Sequence, residues 1–192
     1  DDRNLVEEFK QLDYQFIDQL EQLTQINKLP VLGLFADVAM PYVIDQPVAQ
    51  SDRLAKMTEK GLSLLAENNK PFFMMIEGGM VDWCAHQNDI ACTMHEMRDF
   101  TKAVTVVKKF IDSHPNTLLV VTADHSTGGL SVGGWDKKEW HADIVKQIHI
   151  AIPTLADELM TLTPETDIIR ERLSEYVEFP LNENEVSQLV HA

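Results

Sequence analysis

Phe72-Phe73-Met74-Met75-Ile76-Glu77-Gly78-Gly79 and Thr117-Leu118-Leu119-Val120-Val121-Thr122-Ala123-Asp124-His125 frame the stretch whose reading decides the fold. Each begins with a short, continuous apolar run and ends in polar or glycine residues, the pattern of a strand buried on both faces. Between them, Asp89 offers an N-cap to a helix predicted over about 90–112. Its apolar face is drawn from Met94, Met97, Phe100, Val104, Val107 and Ile111, and Pro115-Asn116 closes it. Strand, helix, strand at this spacing reads as a right-handed βαβ unit with parallel strands.

Upstream, Val31-Leu32-Gly33-Leu34-Phe35-Ala36 is a further short apolar run that reads as a buried strand. Leu5, Val6, Phe9, Leu12, Phe16, Ile17, Leu20 and Leu23 recur with a helical period, predicting one helix over 3–24. Pro41 and Pro47 mark 37–50 as a loop, after which Ser51 offers an N-cap to a helix over about 52–67. The expected fold class is therefore α/β, a largely parallel sheet covered by helices. Beyond Gly133-Gly134 the pattern changes. Trp135, Trp140, Pro153, Pro164 and Pro180 punctuate the segment, and short helical patterns cover about 165–177 and 182–191. The expected organisation is a partial α/β core over 1–133 and a mainly helical insertion or cap over 134–192.

Composition narrows the function classes. The 192 residues carry 31 acidic against 16 basic side chains, a formal charge of −15. That balance opposes nucleic acid binding, which needs a basic footprint. It fits a solvated acidic surface, which also concentrates divalent cations near it. No run reaches the roughly 18 apolar residues of a membrane span. The chain has neither an initial Met nor a basic-then-apolar leader, so its numbering is expected to begin inside a larger or processed product. Cys84 and Cys92 are the only cysteines; their spacing permits one bridge without implying it, and a buried loop thiol is the expected state of Cys84.

In open parallel sheets, ligands bind outside the carboxyl ends of the strands. Glu77, Asp82 and His86 follow one framing strand, and Asp124 and His125 follow the other. Both ends belong to one βαβ unit and emerge on one edge, so three carboxylates and two imidazoles share a region. Asp82 and His86, four apart, share a face if that stretch is helical. Gly78, Gly79, Gly128 and Gly129 allow the loops unusual backbone angles. Imidazole with carboxylate is a ligand set for Zn²⁺, whereas an all-oxygen site using Glu77 suits Mg²⁺. A single Asp-His pair at a strand end is ordinarily a turn. Two clusters at corresponding ends point instead to a metal site.

These strings resemble the alkaline phosphatase family. The shared pattern is a strand ending Ile76-Glu77-Gly78, then Asp82 and His86, then Met94-His95-Glu96, then Thr122-Ala123-Asp124-His125-Ser126-Thr127-Gly128-Gly129. Leu32 to Ala36 and Met40-Pro41-Tyr42 are similar to the family's preceding strand and loop, so the resemblance covers about the first 133 residues. It implies that Asp82 and His86 bind one zinc, Asp124 and His125 a second, and Glu77 a Mg²⁺. It further implies phosphate monoester hydrolysis through a covalent phosphoserine, a homodimer, and a periplasmic or secreted location. Trp83 occupies a position that faces phosphate through water in the family, with plain loop packing as its alternative. His95 is expected to pack or to support ligands from behind.

The chain also departs from the family. No Asp-Ser-Ala motif stands in 1–70; Asp112-Ser113 is the one Asp-Ser pair and reads as a helix terminator. The family's upstream bridging Asp and phosphate-holding Arg have no counterpart, and His141, His149 and His191 lack the context of its final zinc ligand. The expectation is an excised middle piece, with 134–192 one of the family's variable insertions, that is inactive alone. Two alternatives stay open on the residues alone: a metal-dependent phosphomutase or phosphodiesterase of the same superfamily, or a non-catalytic dimerisation or binding domain.

Overall fold

A computed structural model describes residues 3–68, 70–132 and 139–191. The chain is α/β: helices dominate and a small parallel sheet joins β1, Gln15–Ile17, to β2, Val31–Gly33. The helices are α1 Leu5–Gln11, α2 Arg53–Ala66, α3 Gly79–His86, α4 Ile90–Ser113, α5 Ala142–Val145, α6 Ile152–Met160, α7 Thr166–Tyr176 and α8 Glu183–Val190. None is long and apolar enough to cross a membrane among the described residues.

The helix expected over 3–24 is three elements. α1 ends early because Asp13 takes a positive φ of 62°, which stops a right-handed helix, and Gln15-Phe16-Ile17 then pairs with 31–33. The helical spacing of Phe16 and Ile17 thus concealed a strand. α2 and α4 fall within a residue or two of their predicted bounds. Ser51 does not cap α2. Its hydroxyl donates to the Val48 carbonyl and receives Lys102 Nζ at 3.0 Å.

The framing runs 71–78 and 117–123 form neither helix nor strand among the described residues and join no ladder. Phe73, Met75, Leu118, Val120 and Val121 are exposed, so these runs are not buried on both faces. Met74, Ile76 and Leu119 are half-buried. Phe72 meets the ring of Phe110 edge-on at 6.3 Å between centroids, and the Met74 methyl lies against Gly61. α4 also turns a different side inward than its methionines suggested: Met94 and Met97 are exposed, while Cys92, Glu96, Asp99, Ala103 and Val107 are buried.

The structure groups into two compact units, each discontinuous in sequence. The first takes 1–41, 48–78 and 98–122, and its core gathers Ile17, Ile26 and Leu64 with Leu23, Val31 and Phe35. Within it, Asp99 on α4 accepts the Leu54 amide and lies 3.8 Å from Arg53 Nε, both side chains buried. Burial raises the Asp99 carboxyl above its ordinary value, against the opposing pull of the Leu54 amide and Arg53.

The second unit takes 42–47, 79–97 and 123–192. Ile169, Leu173 and Val186 make one core between α7 and α8; Cys84, Cys92 and Ala151, with Tyr42 and Ile44, make another. Cys84 is not a free thiol: it is bonded to Cys92, tying α3 to α4. Three carboxylates then stitch the unit together. Asp89 accepts Cys92 N at the start of α4 with one oxygen and Ile152 N at the start of α6 with the other. Asp45 takes Ala151 N and the Thr154 hydroxyl, and Glu96 takes Val43 N. In 139–191, α7 and α8 fall on the two expected helical patterns, α5 and α6 were not among the expected helices, and the strand-like pairing described there is a single antiparallel bridge, Ile148 with Val177. The boundary expected at 133/134 and Trp135 lie outside the described residues.

Asp89 is 2% exposed, so truncating it removes the acceptor of two backbone N–H groups, of which that of the fully buried Cys92 is left without water. Urea unfolding is expected to show Asp89→Ala losing about 3 kcal/mol and Asp89→Asn, which keeps one acceptor oxygen, losing less.

Candidate metal centre

α3 is short and begins at Gly79, directly after the first framing run, so its first turn presents Asp82 and its last turn His86. The four-residue spacing places them on one face, with His86 Nε2 3.5 Å from Asp82 Oδ1. Asp124 and His125 sit in the loop after the second framing run, and His125 Nε2 stands 3.5 Å from Asp124 Oδ2. The loop is turned by Gly129 at φ +96°, a conformation that only glycine adopts without strain. Gly78 is small for a different reason, since a Cβ there would come within 3.1 Å of the Phe100 ring.

The two pairs meet at one atom. Asp82 Oδ1 faces His86, lies 3.8 Å from His125 Nε2, and accepts the Thr127 hydroxyl at 3.0 Å. The structure thus brings together Asp82, His86, Asp124 and His125, all in the second unit. Glu77 is exposed near the end of the first framing run, in the first unit. Trp83 is exposed on α3, and His95 is half-buried with Nδ1 2.9 Å from the Ala91 carbonyl. His141 and His149 pair with Glu139 and Glu178.

The donor set fits divalent metal on chemical grounds. About a tetrahedral Zn²⁺ with bonds near 2.0–2.1 Å, adjacent donors stand about 3.3 Å apart. The 3.5 Å separation in each Asp-His pair is close to that edge. Asp124 is 90% and His86 60% exposed as side chains, and Asp82 40%. Such solvated pairs add little to stability as ion pairs. Among the described residues, one set of three donors lies mutually within 4.8 Å: Cys84, Cys92 and Glu96. Its sulfurs are joined to each other and its carboxylate is committed to Val43 N, so it offers no ion a place.

The His125 imidazole is held above the ordinary histidine range. The Ser126 carbonyl at 3.2 Å from Nδ1 contributes most, then the charge of Asp124, with a smaller part from Asp82. With Nδ1 protonated against that carbonyl, the neutral ring presents the lone pair of Nε2 toward the carboxylates. Sequence reasoning missed Thr127. It stood inside the quoted Asp-His-x-Thr-Gly-Gly string, and only the fold shows its hydroxyl on Asp82.

An α/β chain whose paired Asp and His side chains gather at one helix turn and one loop is similar to known enzymes throughout its length. The alkaline phosphatase family model matches residues 1–176, and the chain belongs to that family. Alkaline phosphatase 4 of Bacillus subtilis is 34% identical over 168 residues, 88% of this chain and 36% of that protein. Alkaline phosphatase 3 of the same organism is 39% identical over 145 residues, 76% of this chain and 31% of that one. The crystal structure of a cold-active alkaline phosphatase from a psychrophilic Shewanella superposes with a TM-score of 0.87 at 40% identity. That match covers 97% of this chain and 46% of the other. The Thermus thermophilus alkaline phosphatase gives 0.82 at 25% identity, covering 99% and 41%. The chain spans about a third of the length of the curated relatives it matches.

A histidine with a raised pKa binds its proton more tightly, so metal capture at Nε2 weakens as pH falls through that raised value. In an NMR titration of the metal-free protein, His125 is expected to protonate at higher pH than an unperturbed histidine. Asp124→Asn should move its midpoint down.

Proposed function

We propose that this chain supplies the metal-binding part of a phosphomonoesterase. Asp82 and His86 hold one zinc, Asp124 and His125 hold the second, and Glu77 serves a Mg²⁺. The observation that carries this is the pair of 3.5 Å Asp-His spacings, which meet around Asp82. Bound there, the metals supply Lewis-acid polarisation of phosphoryl oxygens and a lowered pKa for bound water. The residues supply the rest. Carboxylates at Asp82 and Asp124 set a negative field that retains divalent cations, and the Ser126 carbonyl fixes the tautomer of His125. Trp83, exposed on the same helix as Asp82 and His86, borders the phosphate ester in this reading.

The substrate class is the phosphate monoester. The string Glu77-Gly78-x-x-x-Asp82-x-x-x-His86 favours this over a phosphomutase or phosphodiesterase. Residues 1–192 contain no Asp-Ser-Ala motif, so the serine nucleophile of the reaction is not among them. Residues 134–192 are an insertion on this core, and the whole protein works as a homodimer in the periplasm or outside the cell. The Cys84–Cys92 bond favours that oxidising location.

Metal analysis after equilibration with zinc is the test. The purified chain, which offers each zinc an incomplete shell, is expected to bind zinc weakly, and Asp82→Ala or His125→Ala to lower the zinc bound. It should not turn over an aryl phosphate. Unchanged zinc content in both variants would refute the ligand assignment, and robust turnover would refute the missing nucleophile.

A further inference from the structure

We infer that Thr127 is a positioning residue, whose hydroxyl orients the Asp82 carboxylate for metal and locks the Asp124–His125 loop to α3; this rests on the ligand reading above. Asp82 is half-buried in the first turn of α3, with 40% of its side chain still exposed, so its carboxylate needs a partner to fix its orientation. The imidazoles beside it, at 3.5 and 3.8 Å, stand outside hydrogen-bond distance. Thr127 Oγ1 at 3.0 Å is the one hydrogen-bond donor to this side chain among the described residues. A threonine hydroxyl has one proton to give, and an ionised carboxylate only accepts, so the direction of the bond is fixed.

The placement of that donor gives it a second effect. Thr127 lies two residues beyond His125, in the loop that carries the other Asp-His pair. Its bond therefore joins the two pairs directly, and Gly129 turns the chain just beyond it. Hydroxyls that orient a metal-ligating carboxylate from behind commonly change affinity by about ten- to a hundredfold when removed. Valine keeps the shape of threonine and loses the donor, whereas serine keeps the donor and loses a methyl group.

Zinc affinity, measured by competition with a chromophoric chelator, tests this on wild type, Thr127→Val, Thr127→Ser and Asp82→Ala. Far-UV circular dichroism establishes that each variant is folded. Thr127→Val is expected to weaken zinc binding by about ten- to a hundredfold, and Thr127→Ser to bind as wild type. A loss in Asp82→Ala with none in Thr127→Val overturns the role of Thr127 alone. Equal weakening by valine and serine overturns it too, because the hydroxyl is then not the cause. No loss in Asp82→Ala overturns the ligand reading and this inference with it.

Discussion

A buried carboxylate must find donors, and the second unit is organised around that requirement. Asp89 and Glu96 lie almost wholly out of water, and Asp45 is half-buried. An unpartnered carboxylate in such a place is costly, so each draws backbone N–H groups from segments distant in sequence. Asp89 draws the starts of α4 and α6, Asp45 draws 151–154, and Glu96 draws Val43. Four acidic side chains, Asp45, Asp89, Glu96 and Asp157, add to burial in raising the Tyr42 hydroxyl pKa. The phenol stays neutral, which suits a ring packed on the disulfide core.

The candidate site follows the opposite logic. Asp124, His86 and His125 are exposed and Asp82 is half-buried, and these side chains have few protein partners. The contrast occurs over a few residues: His86 is exposed and Asp82 half-buried, while Cys84 and Ala85 on the other side of α3 are sealed. One short helix divides its side chains between a core and a site because successive residues turn through about 100°.

Much of this is legible in the sequence, for reasons that particular residues show. Asp89 and Pro115 bracket α4 because a cap and a breaker act locally, and the fold agrees with both. Asp82 and His86 are readable because a four-residue spacing has one meaning on a helix. Longer-range effects are not readable. Glu96 and Asp99 have the polarity of a solvent face on α4; their burial depends on amides at Val43 and Leu54, which no local pattern announces. Met94 and Met97 have the spacing of an inward face and are outside for the same reason. β1 is hidden by a chance helical period, and the positive φ of Asp13 is a backbone event with only a weak signature in residue type. The runs 71–78 and 117–123 are apolar on both faces, yet they are not buried on both faces among the described residues.

The bond between Cys84 and Cys92 has a consequence for recognition. It joins cysteines eight positions apart, around a loop that includes His86, and ends in the first turn of α4. In the chain-entropy account, such a crosslink removes conformations from the unlinked ensemble. Asp82 and His86 then ride on a helix whose disorder has already been curtailed. A ligand that engages both meets a preorganised pair and gives up less conformational entropy on binding.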